Sequence, residues 1–263
     1  MSRISDAFKN KPLFIPYFPI GFPSYEKSID IIEAFAKNGA GIIEVGLSFS
    51  DPLADGPVIQ KATKIALDNG INTKLVLKAV STIRKRGITI PIILMGYLNP
   101  MHSYGFEKFI RESKSSGVDG IIIPDLPLEE SLSFKSLMAD LPLIQMIAPT
   151  TPEERIEKIT KQAEGFIYLV SVTGVTGSRD SIAQNVEVLV KLIRKYTSIP
   201  VCVGFGISNT DQAEQIGKFS DGIIIGSHLV ESIGSSKNPK ETAVEIAKLM
   251  CEALARARFE DNG

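Results

Sequence analysis

The chain has 263 residues, 44% hydrophobic and 22% charged, with a formal net charge of −1. That balance lacks the basic stripe of a nucleic-acid binder, and no apolar run reaches the ~18 residues of a membrane span. The opening Met1-Ser2-Arg3-Ile4-Ser5-Asp6-Ala7-Phe8 has no apolar stretch like that of a signal peptide. With Cys202 and Cys251 read as two buried thiols, the expected compartment is a reducing cytoplasm. The only histidines are His102 and His228, and no ligand pair has metal-site spacing, so no metal is expected.

Short apolar runs alternate with helical patterns from end to end. Ile4 and Phe8, four apart, predict a short helix ahead of the first strand, covering the lower end of the fold. A strand follows over Phe14–Phe18. Ser24 then caps a helix over Tyr25–Lys37, closed by Asn38-Gly39. The next strand is Gly41–Gly46. Pro57 opens a helix that ends at Asn69-Gly70, and Thr73 opens another that stops at Gly87. Strand Ile92–Met95 precedes a helix over Phe106–Ser116, ended by Gly117. Strands Gly120–Ile123 and Leu143–Ile147 come next, and Pro152 starts a helix over Glu153–Glu164. Strands Phe166–Val170 and Val201–Gly204 lead to Asn209, which caps Thr210–Lys218. After strand Gly222–Ile225, Pro239 opens a long helix to about Arg258, with a frayed tail.

These strands are continuous apolar runs, the pattern of a parallel sheet covered on both faces. Eight β/α units without a linker predict an α/β fold: a single (β/α)8 TIM barrel over residues 1–263, with a short extra N-terminal helix. The competing architecture, an open doubly wound sheet, usually has fewer strands and a glycine-rich first turn. Here the glycine loops come late in the chain.

Those loops are Thr173-Gly174-Val175-Thr176-Gly177-Ser178, Gly204-Phe205-Gly206-Ile207-Ser208 and Gly226-Ser227-His228. Glycine lets the backbone approach an anion, and a helix N-terminus offers free N–H groups. Loops after strands seven and eight are the usual phosphate site of this barrel. Each pair alone could end its strand for steric reasons; three at one rim point to phosphate. Ser227 could donate its hydroxyl, and His228 is read as structural. Earlier in the chain, Glu44 lies inside an apolar strand, where an unjustified carboxylate costs several kcal/mol. Burial would raise its pKa and suit it to acid and base work near neutrality; the alternative is a structural Glu paired with a hydroxyl or backbone group. Asp55 follows in a Gly/Pro-punctuated loop, open to chemistry or to capping the helix at Pro57. No predicted strand carries a lysine for a Schiff base. A phosphorylated substrate would therefore be worked on by carboxylates alone.

The string Glu44-Val45-Gly46-Leu47-Ser48-Phe49-Ser50-Asp51-Pro52-Leu53-Ala54-Asp55-Gly56-Pro57-Val58-Ile59-Gln60 resembles the signature of the tryptophan synthase α-subunit family. The likeness extends to Pro124-Asp125-Leu126-Pro127, Tyr168-Leu169-Val170-Ser171 and the late glycine loops, nearly the whole chain. It implies a cofactor-free lyase of tryptophan biosynthesis that cleaves indole-3-glycerol phosphate to indole and glyceraldehyde 3-phosphate. It also implies an α2β2 complex in which a pyridoxal-phosphate β subunit receives the indole. By resemblance Glu44 is the acid/base, and Asp55 holds the indole N–H and steadies ring charge. Tyr17, Met95, Ile122 and Tyr168 line the substrate site, and Thr176 belongs to a loop that meets Asp55. Gly177, Gly206, Gly226 and Ser227 bind phosphate. Tyr17 stands where a Phe is common. Pro19, Phe22 and Ser48 depart from the usual Thr, Asp and Pro, which implies altered activation by a partner. A free-standing indole-releasing lyase, or a weakly active subunit kept to activate its partner, are the alternatives.

Overall fold

A computed structural model describes residues 2–138, 140–171, 179–204 and 206–260. Its strands are β1 (Leu13–Pro19), β2 (Ile43–Gly46), β3 (Ile92–Met95), β4 (Gly120–Ile122), β5 (Gln145–Ile147), β6 (Ile167–Val170), β7 (Val201–Gly204) and β8 (Gly222–Ile225). All neighbours are parallel, in the order β4-β3-β2-β1-β8-β7-β6-β5. The ends meet at an isolated bridge, Ile121 to Leu143, where Ile121 N–H donates to Pro142 O at 2.9 Å and Ile144 N–H to Ile121 O at 2.8 Å. The sheet is thereby a barrel, nearly closed, with its thinnest seam between β4 and β5.

The helices are α1 (Arg3–Ala7), α2 (Tyr25–Lys37), α3 (Pro57–Asp68), α4 (Thr73–Lys85), α5 (Leu98–Ser103), α6 (Phe106–Ser116), α7 (Leu128–Lys135), α8 (Glu153–Gln162), α9 (Arg179–Arg194), α10 (Thr210–Gly217), α11 (Ser227–Ser235) and α12 (Pro239–Glu260). Their ends follow local chemistry. The Ser24 hydroxyl accepts from Lys27 N–H, Asn209 accepts from Gln212 N–H, and Gly117 ends α6 at φ +93°, where a side chain would be strained.

Alternation along each strand separates two apolar layers. Leu13, Ile15, Ile42, Ile93, Met95, Ile122, Phe166, Tyr168, Cys202 and Ile224 fill the barrel. Ile43, Val45, Ile92, Leu94, Val201 and Val203 face outward beneath the helices, with Phe35 and Phe109 packed onto them. Each large side chain buried there is worth about 1.5–3 kcal/mol against exposure. The N-terminal helix plugs the lower end as the Ile4/Phe8 spacing predicts. Both residues join the inner cluster, and the Phe8 and Phe166 rings lie 5.9 Å apart.

Two aspartates fasten that lower end. Asp119 accepts from Ile92 N–H at 2.8 Å and pairs with Arg84 at 2.5 Å and Arg3 at 2.9 Å. Asp221 accepts from Val201 N–H at 2.9 Å and pairs with Lys11 and Arg194. Burial works against ionisation of Asp221, but Lys11, the Val201 N–H and Arg194 outweigh it and hold the carboxyl below its ordinary value.

Candidate active site

The inward positions of the upper strand ends converge on a cavity of about 220 Å3. Glu44 reaches it from β2, on the face shared with Ile42. The residue is 1% exposed, and neither carboxylate oxygen has a hydrogen-bond partner among the described residues. A structural glutamate would show its satisfying donor, and none of the described residues supplies one here. Burial, with the nearby Asp55 charge second, pushes its carboxyl up to about 8.

Asp55 reaches the same cavity from the loop after β2. It does not cap α3: the N-cap is Gly56, without a side-chain bond, and Pro57 opens the helix. Its carboxylate is instead hydrogen-bonded to the Tyr97 hydroxyl. That hydroxyl also accepts from Ala54 N–H at 2.9 Å, and the Tyr97 ring packs on Phe49 with centroids 5.6 Å apart. Tyr97 thus ties both ends of the Phe49–Asp55 loop to the end of β3. Partial burial raises the Asp55 pKa, and the bond from Tyr97 opposes that rise.

Two tyrosines complete the walls, and each depends on a glycine of the adjacent strand. A Cβ on Gly46 would collide with the Tyr17 hydroxyl, and one on Gly204 with the Tyr168 hydroxyl. Burial, then the two acids, raises the Tyr17 pKa well above its ordinary value, so the phenol keeps its proton. At the other end the wall is Gly206, Ile207, Ser208, Gly226 and Ser227. Gly206 sits at φ +80°, a conformation that disfavours any side chain. Gly226 is the N-cap of α11, whose first N–H groups have no intrahelical acceptors and carry the positive end of the helix dipole. One end of the cavity therefore suits an anion and the other holds two acids.

Of the residues singled out in the sequence, Tyr17, Glu44, Asp55, Met95, Tyr168, Gly206, Gly226 and Ser227 line this single cavity. Ile122 does not: it is fully buried in the inner layer, paired in register with Met95, and lines neither this cavity nor its neighbour. Thr176 and Gly177 lie outside the described residues. A second cavity of about 560 Å3 shares Met95 and spreads along the β4/β5 seam past Ala54, Pro124 and Met146.

The family model for "Tryptophan synthase alpha chain" matches residues 4–258. The chain belongs to the tryptophan synthase alpha chain family. The alpha chain of Carboxydothermus hydrogenoformans is 46% identical over 264 residues, covering 97% of this chain and 98% of that one. The solved alpha subunit of Legionella pneumophila superposes with a TM-score of 0.89 at 32% identity, covering 97% and 99%. A tryptophan synthase chain from M. tuberculosis gives 0.87 at 31%, covering 97% and 99%.

Within this alpha-chain site several residues escaped sequence reasoning. Tyr97 stands two residues past a strand end, and only the register Gly46 to Met95 brings it over Ala54, 43 residues earlier. His228, read as structural, and Glu231 line the anion end. Burial, the larger effect, lowers the His228 pKa, and Glu231 opposes it. The departures at Pro19 and Phe22 are buried rather than displayed. Phe22 is 8% exposed and packs on Phe18 with ring centroids 6.1 Å apart. Ser48 buries its hydroxyl without a partner among the described residues.

Proposed function

We propose that Glu44 and Asp55 carry the cleavage of indole-3-glycerol phosphate to indole and glyceraldehyde 3-phosphate, a lyase reaction needing no cofactor in this chain. The phosphate rests at Gly206, Gly226 and Ser227, and the ring lies toward Met95 and Asp55. Protonated Glu44 gives its proton to the ring carbon that bears the side chain, leaving an indolenine cation. The Asp55 carboxylate accepts the ring N–H and offsets that charge. Ionised Glu44 then takes the proton of the adjacent side-chain hydroxyl. The O–H pair becomes the aldehyde C=O, and the carbon–carbon pair returns to the ring. Both products are neutral at the reacting carbons and Glu44 ends protonated, ready to repeat. A carboxyl held at about 8 can do both tasks near neutral pH.

The observation that carries this reading is Glu44 itself, buried and without a hydrogen-bond partner among the described residues, on the wall that Asp55 shares. An indole-release assay with the purified chain, alone and with a β subunit, tests it. Glu44→Gln should lose at least about a hundredfold in kcat, the usual range for a proton-transfer group. A near-normal rate would sink the mechanism.

The rim is also where we place the partner. Leu53, on the loop that carries Asp55, is 91% exposed, an apolar side chain beside the mouth of the site. A pyridoxal-phosphate β subunit docked there would receive indole and form the α2β2 assembly. Two free cysteines, with no helix among the described residues long and apolar enough to cross a membrane, support a cytoplasmic setting.

A further inference from the structure

The mechanism above uses two acids of the cavity and gives no task to the Tyr17 hydroxyl. Tyr17 pairs in register with Glu44 across β1 and β2, and both side chains face inward. Its ring begins beside Gly226, where a Cβ would meet the Tyr17 ring carbons at 3.3–3.6 Å. Its hydroxyl ends against Gly46, one inward position above Glu44 on β2. The ring therefore bridges the anion end of the cavity and the acid end. The hydroxyl itself has no hydrogen-bond partner among the described residues, although Glu44, Asp55 and Tyr97 are all close enough to act on its charge.

We propose that the Tyr17 hydroxyl donates a hydrogen bond to the substrate's side-chain oxygen, the one that Glu44 deprotonates and that becomes the aldehyde carbonyl. In this proposal a substrate anchored by its phosphate at Gly226 runs along the Tyr17 ring toward Glu44, which brings the oxygen beside the bond that breaks to the level of Gly46. That oxygen gains electron density as its proton leaves, and a fixed donor stabilises the gain more than it stabilises the resting hydroxyl. The Tyr17 phenol suits the role because it does not compete as a base: burial, then the acids, keeps its proton in place. Gly46 belongs to the same device, since any larger residue there would displace the hydroxyl.

This inference rests on the lyase reading and is tested with Tyr17→Phe, which removes only an oxygen that bonds to no described residue. The variant should keep the unfolding midpoint of the parent. Its kcat/KM for indole-3-glycerol phosphate should fall about tenfold or more, carried mainly by kcat. Its affinity for indole alone should not change, because indole lacks the oxygen in question. The chain contains no tryptophan, so the fluorescence of added indole reports binding directly. A loss of activity below threefold overturns the proposal. A parallel loss of indole affinity also overturns it, because the hydroxyl would then be reading the ring. A parent chain that releases no indole would instead remove the lyase reading on which the proposal stands.

Discussion

Replacing Glu44 by Gln should make the protein more stable while it abolishes turnover. The carboxyl rises from 4.5 to about 8 on folding because burial disfavours its charge. Below pH 4.5 it is neutral in both the folded and unfolded chains, and it costs nothing. Between about pH 4.5 and 8 the unfolded chain ionises while the folded chain keeps the proton, so stability falls as pH rises. Above about 8 both are ionised and the full penalty is present. Three to four units at about 1.4 kcal/mol each make that penalty on the order of 5 kcal/mol, with about 3 kcal/mol already present at pH 7. Gln is nearly the same size, carries no charge at any pH, and has the same lack of partners. Urea unfolding of the two proteins at pH 5, 7 and 9 should therefore give a stability difference that starts near zero and widens in favour of Gln. A difference that does not change with pH, or a parent that stays the more stable at pH 9, would refute burial as the source of the shifted carboxyl. The same site then trades stability for reactivity, the expected cost of holding an acid ready in an apolar strand.

Two further outcomes follow from other contacts. Tyr97→Phe frees the Asp55 loop at both its bonds; kcat for indole release should drop about tenfold, and limited proteolysis should cut the Leu53–Asp55 segment faster than in the parent. An unchanged kcat would return Tyr97 to packing alone. Asp119→Ala leaves the part-buried Arg84 charge and the Ile92 N–H without their carboxylate; unfolding should cost about 2–4 kcal/mol less, with KM unaffected because the site lies at the other end of the barrel. A shift under 1 kcal/mol would show that the carbonyls of Gly117, Ile88 and Ile90, which Arg84 already donates to, suffice on their own.

The barrel was legible because parallel strands leave an apolar run with few polar interruptions. Ile92–Met95, Val201–Gly204 and Gly222–Ile225 have their observed limits in the sequence. The apolar pattern includes Gly41 and Ile42 in the strand; they lie just before β2, although Gly41 N–H already donates to Phe14 O at 2.9 Å. Leu143 and Ile144 precede β5 for a like reason: that edge holds one bridge rather than a ladder. Helix α5 was hidden by Pro100, which is tolerated because it falls in the first turn, where its missing N–H would have no acceptor. Helix α7 presents buried Leu128 and Ser131 with Leu132 half exposed, so no clean apolar stripe marks it. Helix α9 is absent from the sequence reading, although Ala183, Val186, Val190 and Ile193 carry its signal at helical spacing. The two acids were legible as anomalies, an acid in an apolar strand and an acid in a loop. What joins them, Tyr97, was not, since register alone sets it across from Asp55.

The plug formed by Ile4, Phe8 and Phe166 makes the barrel a blind vessel. Because its floor is sealed from within, whatever governs the traffic of water, substrate and products must act at the opposite mouth, around Leu53, Asp55 and Gly226. A single cover suffices to isolate such a vessel. The two ends of this chain can therefore drift under different pressures: the floor answers only to folding, while every change at the mouth is also a change to the door.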